Sequence, residues 1–325
     1  MVTPPIKVNY AFAPVLGKNT NDIKATAAAG AGPAAPNNCV LCLLEPTAPF
    51  GLQVLGAGDV NVVGGGIVVN STSPVALVVS GAGDVRADQI RVVGGVQDAV
   101  GGGTLLPRAE RGGPPVPDPL EGLPRPDELA LPPVVRSTTP IPVQADQTLL
   151  PGVYESVTVE NGATLTLQSG VYVFKGPDGL TVLDTARVVS VGDGVTIYLA
   201  CAAYPAPCSG PGAGFRLRND AQFLADPLSV GEYAGLSIFA DRGNTRTMRL
   251  RTTQDVNLGG AFYGPSTTLR LESTGDLSVG SMLVVDSLRM PVISLPGVLG
   301  SDPSVNVSYD PSLPIPGVGV PVLIR

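Results

Sequence analysis

The 325-residue sequence contains no histidine and no tryptophan. Histidine is the side chain most often used for proton transfer near neutral pH, and it is the commonest metal ligand. Its absence argues against proton-transfer catalysis and against a metal site, although carboxylates and lysine can also serve as catalysts. We therefore predict a protein that is not an enzyme and that has no cofactor and no metal.

Charged residues are scarce, at 14%, and aromatic residues make up only 5% of the chain. Low charge with a mean hydropathy of +0.28 is the reverse of a disordered chain. Val, Leu, Ile and Ala must fill the interior, and such β-branched and small residues suit stacked sheets. A net charge of −7 argues against a nucleic acid as partner.

Long apolar runs are missing as well. No stretch approaches the roughly 18 residues that a membrane-spanning helix needs, and the first residues do not form a signal peptide. We expect any attachment to a membrane to depend on an anchor that this chain does not include.

Four cysteines occur in two close pairs. Cys201 and Cys208 bracket a short loop, and Cys39 and Cys42 form a Cys-Val-Leu-Cys segment. A redox pair would need a strand–helix–strand pattern, and a zinc site would need two further ligands. We predict two structural disulfides, with free or mispaired thiols, or redox or metal binding, as the alternatives. Disulfides are typical of proteins outside the cytosol, so we predict an extracellular or cell-envelope location.

Short alternating segments recur along the chain at a drifting period of about 18 to 25 residues. Each is followed by Gly, Asp or Asn, which are turn residues. The clearest matches are Gly56–Val60 with Gly81–Val85, Gly162–Leu167 with Thr185–Ser190, Asp255–Tyr263 with Asp276–Val284, and Leu150–Tyr154 with Gln168–Tyr172.

This period is typical of a right-handed parallel β-helix, a β-solenoid in which each turn of backbone stacks on the previous one. A β-sandwich would instead need tight hairpins every 8–12 residues. We expect Val157, Val159, Leu165 and Leu167 to point inward. The predicted parts are an N-terminal extension and cap (1–44), a first solenoid block (45–105), a Pro-rich linker or strap (106–148), a second block (149–310) and a C-terminal tail (311–325).

The strap holds most of the 33 prolines. Proline removes backbone donors and favours an extended conformation. Leu120, Leu123, Leu129 and Leu131 are apolar residues within it. We expect them to dock on a neighbouring surface of the protein.

Several acidic residues are candidates for acid/base chemistry or Ca²⁺ binding, because parallel β-helices also house polysaccharide lyases and glycosidases. Some of these acids occupy matching places in neighbouring repeats. The alternative is that Gly-Asp is a corner dipeptide whose carboxylate accepts backbone hydrogen bonds, and we favour it. The candidate pairs are Asp59 with Asp84, Asp84 with Asp88, Asp178 with Asp184, and Asp255 with Asp276.

The densest basic segment contains Arg242, Arg246, Arg249 and Arg251. These arginines are candidates for contact with an anionic polymer or a neighbouring subunit. They could instead form a solvated edge that discourages aggregation between strands, and this is the role that we favour from the sequence. An ice-binding face has only the Thr164-Leu-Thr166 segment to support it.

Several short motifs follow one another in a set order along the chain. They are Val8–Gly17, Ala25–Ala29, Cys39–Leu44, Gly66–Ser71, Asp118–Pro124, Leu150–Tyr154, Gly235–Arg242, Gly260–Pro265 and Val284–Leu288. In these motifs and their order the chain resembles the C-terminal region of the TadE/TadG-like proteins of Flp (tight-adherence) pilus assembly. The resemblance implies an extracytoplasmic β-rich domain without catalytic residues, with envelope or pilus proteins as partners.

We therefore predict a structural or adhesive module of the cell envelope or of a pilus, with self-association as a further possibility. The alternatives are a carbohydrate-binding or carbohydrate-active β-helix, and a filament subunit or an ice- or surface-binding solenoid.

Overall fold

The structure is a computed structural model, and it describes residues 6–9, 20–23, 38–127, 135–272, 275–291 and 302–313. The chain divides into two units, Met1–Gly32 and Pro33–Arg325. In the first unit, strands β1 (Ile6–Asn9) and β2 (Thr20–Ile23) form an antiparallel pair. The predicted docking of Leu129 and Leu131 lies outside the described residues, as do residues 314–325 of the predicted tail.

The second unit is built from short strands, with no α-helix among its described residues. The strap is shorter than the predicted 106–148, because the strand Glu110–Arg111 and the strands from Val135 to Leu149 are paired within the stack. From here on the strap is the segment from 112 to 134, of which 112–127 are described. Before the strap the strands are β3 (Cys39–Leu43), β4 (Leu52–Gly56), β5 (Val60–Val63), β6 (Gly66–Val69), β7 (Leu77–Gly81), β8 (Val85–Arg86), β9 (Ile90–Val92), β10 (Val96–Val100), β11 (Leu105–Leu106) and β12 (Glu110–Arg111).

After the strap the strands are β13 (Val135–Ser137), β14 (Ile141–Val143), β15 (Gln147–Leu149), β16 (Gly152–Tyr154), β17 (Val157–Val159), β18 (Thr164–Leu167), β19 (Gly170–Phe174), β20 (Leu180–Val182), β21 (Arg187–Ser190), β22 (Val195–Leu199), β23 (Phe215–Asn219), β24 (Gln222–Leu224), β25 (Leu236–Ala240), β26 (Met248–Thr252), β27 (Val256–Leu258), β28 (Ala261–Leu271), β29 (Leu277–Val279), β30 (Leu283–Met290) and β31 (Val305–Ser308).

These strands stack in parallel on three faces. Face 1 runs β13-β16-β19-β22-β25-β28-β30-β3-β6-β9-β12. Face 2 runs β14-β17-β20-β23-β26-β28-β30-β4-β7-β10. The long strands β28 and β30 turn the corner between the two faces. Face 3 has the ladders β15-β18-β21-β24 and β27-β29-β31-β5-β8-β11. The predictions of an all-β chain and of stacked parallel strands are confirmed.

The sequence repeats correspond to neighbouring coils of backbone. Val60 lies beside Val85, and Thr164 lies beside Arg187. In the Gly-Ala-Gly-Asp repeat, Gly81 (φ +125°) stacks on Gly56, and a Cβ at Gly81 would lie 2.0 Å from the Gly56 carbonyl oxygen. The two Gly-Val-Tyr segments are the exception to simple alignment, because Tyr154 pairs with Phe174 rather than with Tyr172.

The interior is filled by ladders of apolar side chains. The four residues predicted to point inward, Val157, Val159, Leu165 and Leu167, are fully buried. The scarce aromatics are concentrated there too, contrary to an interior of aliphatic residues alone. Residues that alternate outward are polar on much of face 2 and face 3, as expected for a sheet with one face in water.

The order of the coils in space differs from their order in the chain. Strand β30 pairs with β28 on one side and with β3 and β4 on the other, and β31 lies between β29 and β5. The first block therefore stacks on the last coil of the second block. The chain reaches β12 at one end of the stack and resumes at β13 at the opposite end.

The chain between β12 and β13 must cover the distance between the two ends of the stack. Face 1 contains eleven strands, so its two ends lie about 48 Å apart at a strand spacing of about 4.8 Å. The 23 residues from 112 to 134 can reach about 70 Å in an extended conformation. The chain between the two ends is therefore long enough to run the length of the stack.

Contacts along the strap follow the order of the coils. Asn70 exchanges two hydrogen bonds with the backbone of Val116, at 2.8 and 2.9 Å. The Tyr263 hydroxyl donates to Asp118 at 2.6 Å, and the Tyr204 hydroxyl donates to the Pro126 carbonyl at 2.8 Å.

The strap covers an apolar column on the outer side of face 1. Leu120 and Leu123 are buried against this column, which confirms their predicted docking. The column is Val153, Val173, Tyr198, Phe239, Tyr263, Val284, Cys42 and Val68, each beside the next across one strand pairing.

Candidate functional site

Four arginines stand one above another on the outer side of face 2. Strand alternation places Leu217 and Leu250 inside and turns their arginine neighbours outward. Arg216 pairs in register with Arg249, Arg249 with Arg270, and Arg270 with Arg289. We call these four residues the arginine column.

A second arginine row lies beside the column. Arg218 is in register with Arg251, two residues along each strand and so on the same outward side. Arg246, from the corner between β25 and β26, donates from Nε to the Gly212 carbonyl. A groove of about 500 Å³ lies here, lined by Pro211, Arg216, Arg218, Thr245, Arg246, Thr247, Arg249, Arg251 and Glu272. Two arginines of the column, Arg216 and Arg249, line this groove, and the column continues outside it as Arg270 and Arg289.

The groove carries a surplus of positive charge in a protein whose net charge is −7. Asp178 pairs with Arg216 at 3.0 Å, and Glu272 pairs with Arg270. The groove itself is lined by five arginines and a single carboxylate. Burial, followed by the charge of Arg216, lowers the pKa of Arg246, and Asp178 opposes this shift. The guanidinium groups therefore repel one another, and an anion in the groove would relieve the repulsion.

Arg289, at one end of the column, has a buried Nε atom with no hydrogen-bond partner among the described residues. A buried donor without a partner costs free energy. The column continues as Thr181 beyond Arg216 and as Gln53 beyond Arg289. The stacked positive charge is therefore confined to four consecutive coils.

The structure brings together three of the four arginines singled out in the sequence. Arg246, Arg249 and Arg251 line the groove. Arg242 does not, because it donates to the carbonyl oxygens of Leu120 and Leu123, both at 2.7 Å, and lies over the Tyr263 ring at 5.5 Å. Its role is to hold the strap.

Sequence reasoning missed Arg216, Arg218, Arg270 and Arg289. A signal was present, because arginine alternates with an apolar residue in each of the four strands. The four segments are Phe215–Arg218, Met248–Arg251, Leu269–Leu271 and Leu288–Met290.

The alternative role, protection of a sheet edge, does not fit the position of these arginines. Strand β26, which carries Arg249 and Arg251, is paired with β23 on one side and with β28 on the other. Protective charges are needed where backbone groups lack a neighbouring strand. These charges lie in the middle of the ladder.

The stacked aspartates accept backbone hydrogen bonds at the corners. Asp59 Oδ1 accepts from the backbone N–H of Asp84 at 2.7 Å, and Asp84 Oδ1 accepts from Thr104 at 2.8 Å. Asp255 Oδ1 accepts from the backbone N–H of Asp276 at 3.0 Å. The predicted corner role is confirmed for these three residues.

The remaining acidic candidates take different partners. Asp178 pairs with Arg216, and Asp184 accepts from the side chain of Asn219 at 2.7 Å. Within the described residues, no group of three or more Cys, Asp or Glu side chains is placed to hold a metal ion. Thr164 accepts a hydrogen bond from Arg187 in the next coil, and Thr166 lies beside Val189. The Thr-X-Thr segment is therefore not continued into that coil.

Both cysteine pairs lie at disulfide distance. The Cα atoms are 5.6 Å apart in Cys39–Cys42 and in Cys201–Cys208, within the usual range for a disulfide. Cys39 and Cys42 are buried with the apolar column. The second pair closes the loop that carries Tyr204, which binds the strap. The pairs are compatible with the predicted disulfides.

No protein-family model matches this chain, and no curated protein and no solved structure is similar to it. The likeness to TadE/TadG-like proteins therefore rests on the sequence motifs alone. The described residues contain no helix with the length and apolar character that crossing a membrane requires.

Proposed function

We propose that this chain is a non-enzymatic adhesive or structural module of the cell envelope or of a pilus, and that it attaches to anionic polymers through face 2. The observation that carries the proposal is the arginine column. Four like charges in register on neighbouring strands destabilise a sheet. A bound polyanion would offset this cost, and the rigid stack beneath would hold the charges in place for it.

The proposed scaffold is a right-handed parallel β-helix. Crossovers between parallel strands of one sheet are right-handed in nearly all proteins, and strands three apart in the chain pair in parallel throughout much of this stack. A rod of this kind presents one regular outer face, which suits attachment to an extended surface.

The proposed location is outside the cytosol. Two cysteine pairs at disulfide distance fit an oxidising compartment. The TadE/TadG-like motifs point to the envelope and to pilus proteins as partners. A polyanion-binding face fits this location, because envelope surfaces are rich in anionic polymers.

The test is retention of the full chain on immobilised dextran sulfate over a salt gradient, with neutral dextran as the reference matrix. We expect the protein to bind dextran sulfate despite its net negative charge. The triple variant Arg216→Gln, Arg249→Gln, Arg270→Gln should elute at clearly lower salt, because its face 2 has lost three positive charges.

The matched control is Arg108→Gln, Arg111→Gln, Arg187→Gln, which removes the same charge from exposed arginines outside the groove. It should elute close to the wild type. Equal retention of the two triple variants would show that total charge, rather than the arginine column, governs binding, and would refute the proposal.

A further inference from the structure

The spacing and chemistry of the arginine column narrow the anionic polymer to one class. We propose that the column binds a linear polyuronate, a polysaccharide with one carboxylate per sugar ring, with its chain parallel to the stack axis. This inference rests on the proposed function of face 2, and it adds the ligand class, the orientation and the length.

The first step is the spacing. Neighbouring parallel strands lie about 4.8 Å apart, so the column from Arg216 to Arg289 offers four guanidinium groups over about 14 Å. A linear polyuronate carries one carboxylate on every ring, so its charges recur along the chain as the guanidinium groups recur along the column. An extended acidic peptide places side chains of the same side about 6.6 Å apart, two residues at about 3.3 Å each, and falls out of step with the column.

The second step is the chemistry of the charge. The arginine fork matches a planar carboxylate with two parallel hydrogen bonds. The column already takes carboxylates from the protein itself, Asp178 at Arg216 and Glu272 at Arg270. These internal acids occupy two of the four positions of the column and compete with a ligand there.

The third step is the rest of the groove. Thr245 and Thr247 add side-chain hydroxyls to its lining, and sugar hydroxyls can pair with them. Pro211 adds an apolar surface against which the C–H side of a ring can pack. Inorganic polyphosphate has no apolar side that could pack against such a surface.

The test uses isothermal titration of the full chain with oligogalacturonates of two, four and six rings. Affinity should rise steeply from two rings to four, which engage all four coils of the column, and change little from four to six. Fully methyl-esterified hexamer, which lacks the charge, and inorganic polyphosphate of matched charge are the reference ligands. Both should bind at least tenfold more weakly than the hexauronate.

Two variants examine the binding geometry. Arg249→Lys with Arg270→Lys keeps the charge and removes the forks, and it should weaken hexauronate binding about tenfold. Glu272→Gln removes an internal competitor and should tighten hexauronate binding, whereas Asp193→Asn, an equal charge change at an exposed site outside the groove, should not. Thermal melts confirm that each variant is folded.

The outcomes separate the two proposals. Binding of dextran sulfate without preference for hexauronate over polyphosphate, or without the gain from two rings to four, would overturn the polyuronate assignment and leave the adhesive function standing. An unchanged lysine variant would overturn the assignment too. Failure to bind any polyanion would overturn both.

Discussion

At the scale of single residues, Asn244 shows how a polar side chain is accommodated inside the stack. Asn244 is fully buried at the corner between β25 and β26. Its amide donates to the carbonyl oxygens of Leu199 and Ala213, and its oxygen accepts from the backbone N–H of Gly212 and of Arg246. It thereby joins two coils at a position where the backbone leaves the ladder, as buried polar groups require.

A second residue-scale feature is a pair of carboxyl groups on neighbouring coils. Asp286 lies at the corner within β30, and Glu45 follows β3. Their side chains share a hydrogen bond, and the backbone N–H of Glu45 donates to the Asp286 carbonyl at 2.9 Å. Burial, followed by the charge of Glu45, raises the pKa of Asp286 to about 6, while Ser287 and Arg289 act in the opposite direction.

This raised pKa predicts how stability depends on pH. The folded state keeps a proton on Asp286 that the unfolded state releases from about pH 3.8 upward, so this group lowers stability as the pH rises from about 4 to 6. Asp286→Asn cannot ionise and can still donate to Glu45. Its melting temperature relative to the wild type should therefore rise between pH 4 and pH 7 in thermal melts.

The control is Asp193→Asn, the same chemical change at an exposed acid. A difference between Asp286→Asn and the wild type that stays constant from pH 4 to pH 7 would show that Asp286 has an ordinary pKa.

At the scale of elements, the strap shields apolar side chains on the outer side of face 1 from water. Most outward side chains of a sheet are polar when they meet water, but Tyr198, Phe239 and Tyr263 are buried. Leu120 and Leu123 cover part of this column, and Arg242 fixes the backbone of both leucines. Arg125 adds an ion pair to Asp241 at 3.9 Å. The strap is therefore a structural element with its own packing.

The double variant Leu120→Ser, Leu123→Ser should release the strap locally. Removing two buried leucines costs about 2 kcal/mol or more, and the apolar column beneath would become accessible. We expect faster proteolytic cleavage within residues 112–127 and stronger binding of a hydrophobic dye. Leu150→Ser is the control, because Leu150 is 55% exposed. Cleavage at the rate of this control would contradict the packing role of the strap.

At the scale of the whole second unit, two segments distant in sequence share one stack. Strand β3 closes on β30, and Asn61 donates to Asn306 at 3.1 Å between β5 and β31. The side chain of Asp302 accepts from the backbone N–H of Ala57 at 2.7 Å. The ladders therefore continue across the junction of the two blocks, and the covalent link between the blocks runs outside the core.

Cleavage of the strap tests this order of coils. A specific protease site inserted between Gly112 and Gly113 falls in an exposed segment, where an added Cβ meets no atom within 4 Å. After cleavage the two fragments should elute as one species in size-exclusion chromatography and separate only in denaturant. The paired strands β30 with β3, β30 with β4, and β31 with β5 hold them together.

The uncut insertion protein provides the reference elution volume. Two fragments that separate under native conditions would show that the blocks do not share one stack, and would contradict the pairing of β30 with β3 and β4.

Much of the architecture follows from local patterns in the sequence. The alternation at Val157 and Val159 determines which side chains point inward, and the Gly-Asp corners at Asp59 and Asp84 mark where one strand ends. These features depend on a few neighbouring residues, so the pattern predicts them. The register of Tyr154 was less predictable, because Tyr172 and Phe174 both point inward and either would fill the interior.

The sequence alone determined that this chain forms stacked parallel strands, because an 18–25-residue period of short apolar alternation can bury its side chains in that way. Only the tertiary structure decided the order of the coils and the arginine column. Every parallel strand offers the same backbone donors and acceptors at its edges, so the local pattern does not specify which edge meets which. Pairing of β30 with β3, and of Arg249 with Arg216 and Arg270, depends on contacts between coils that are distant in the chain.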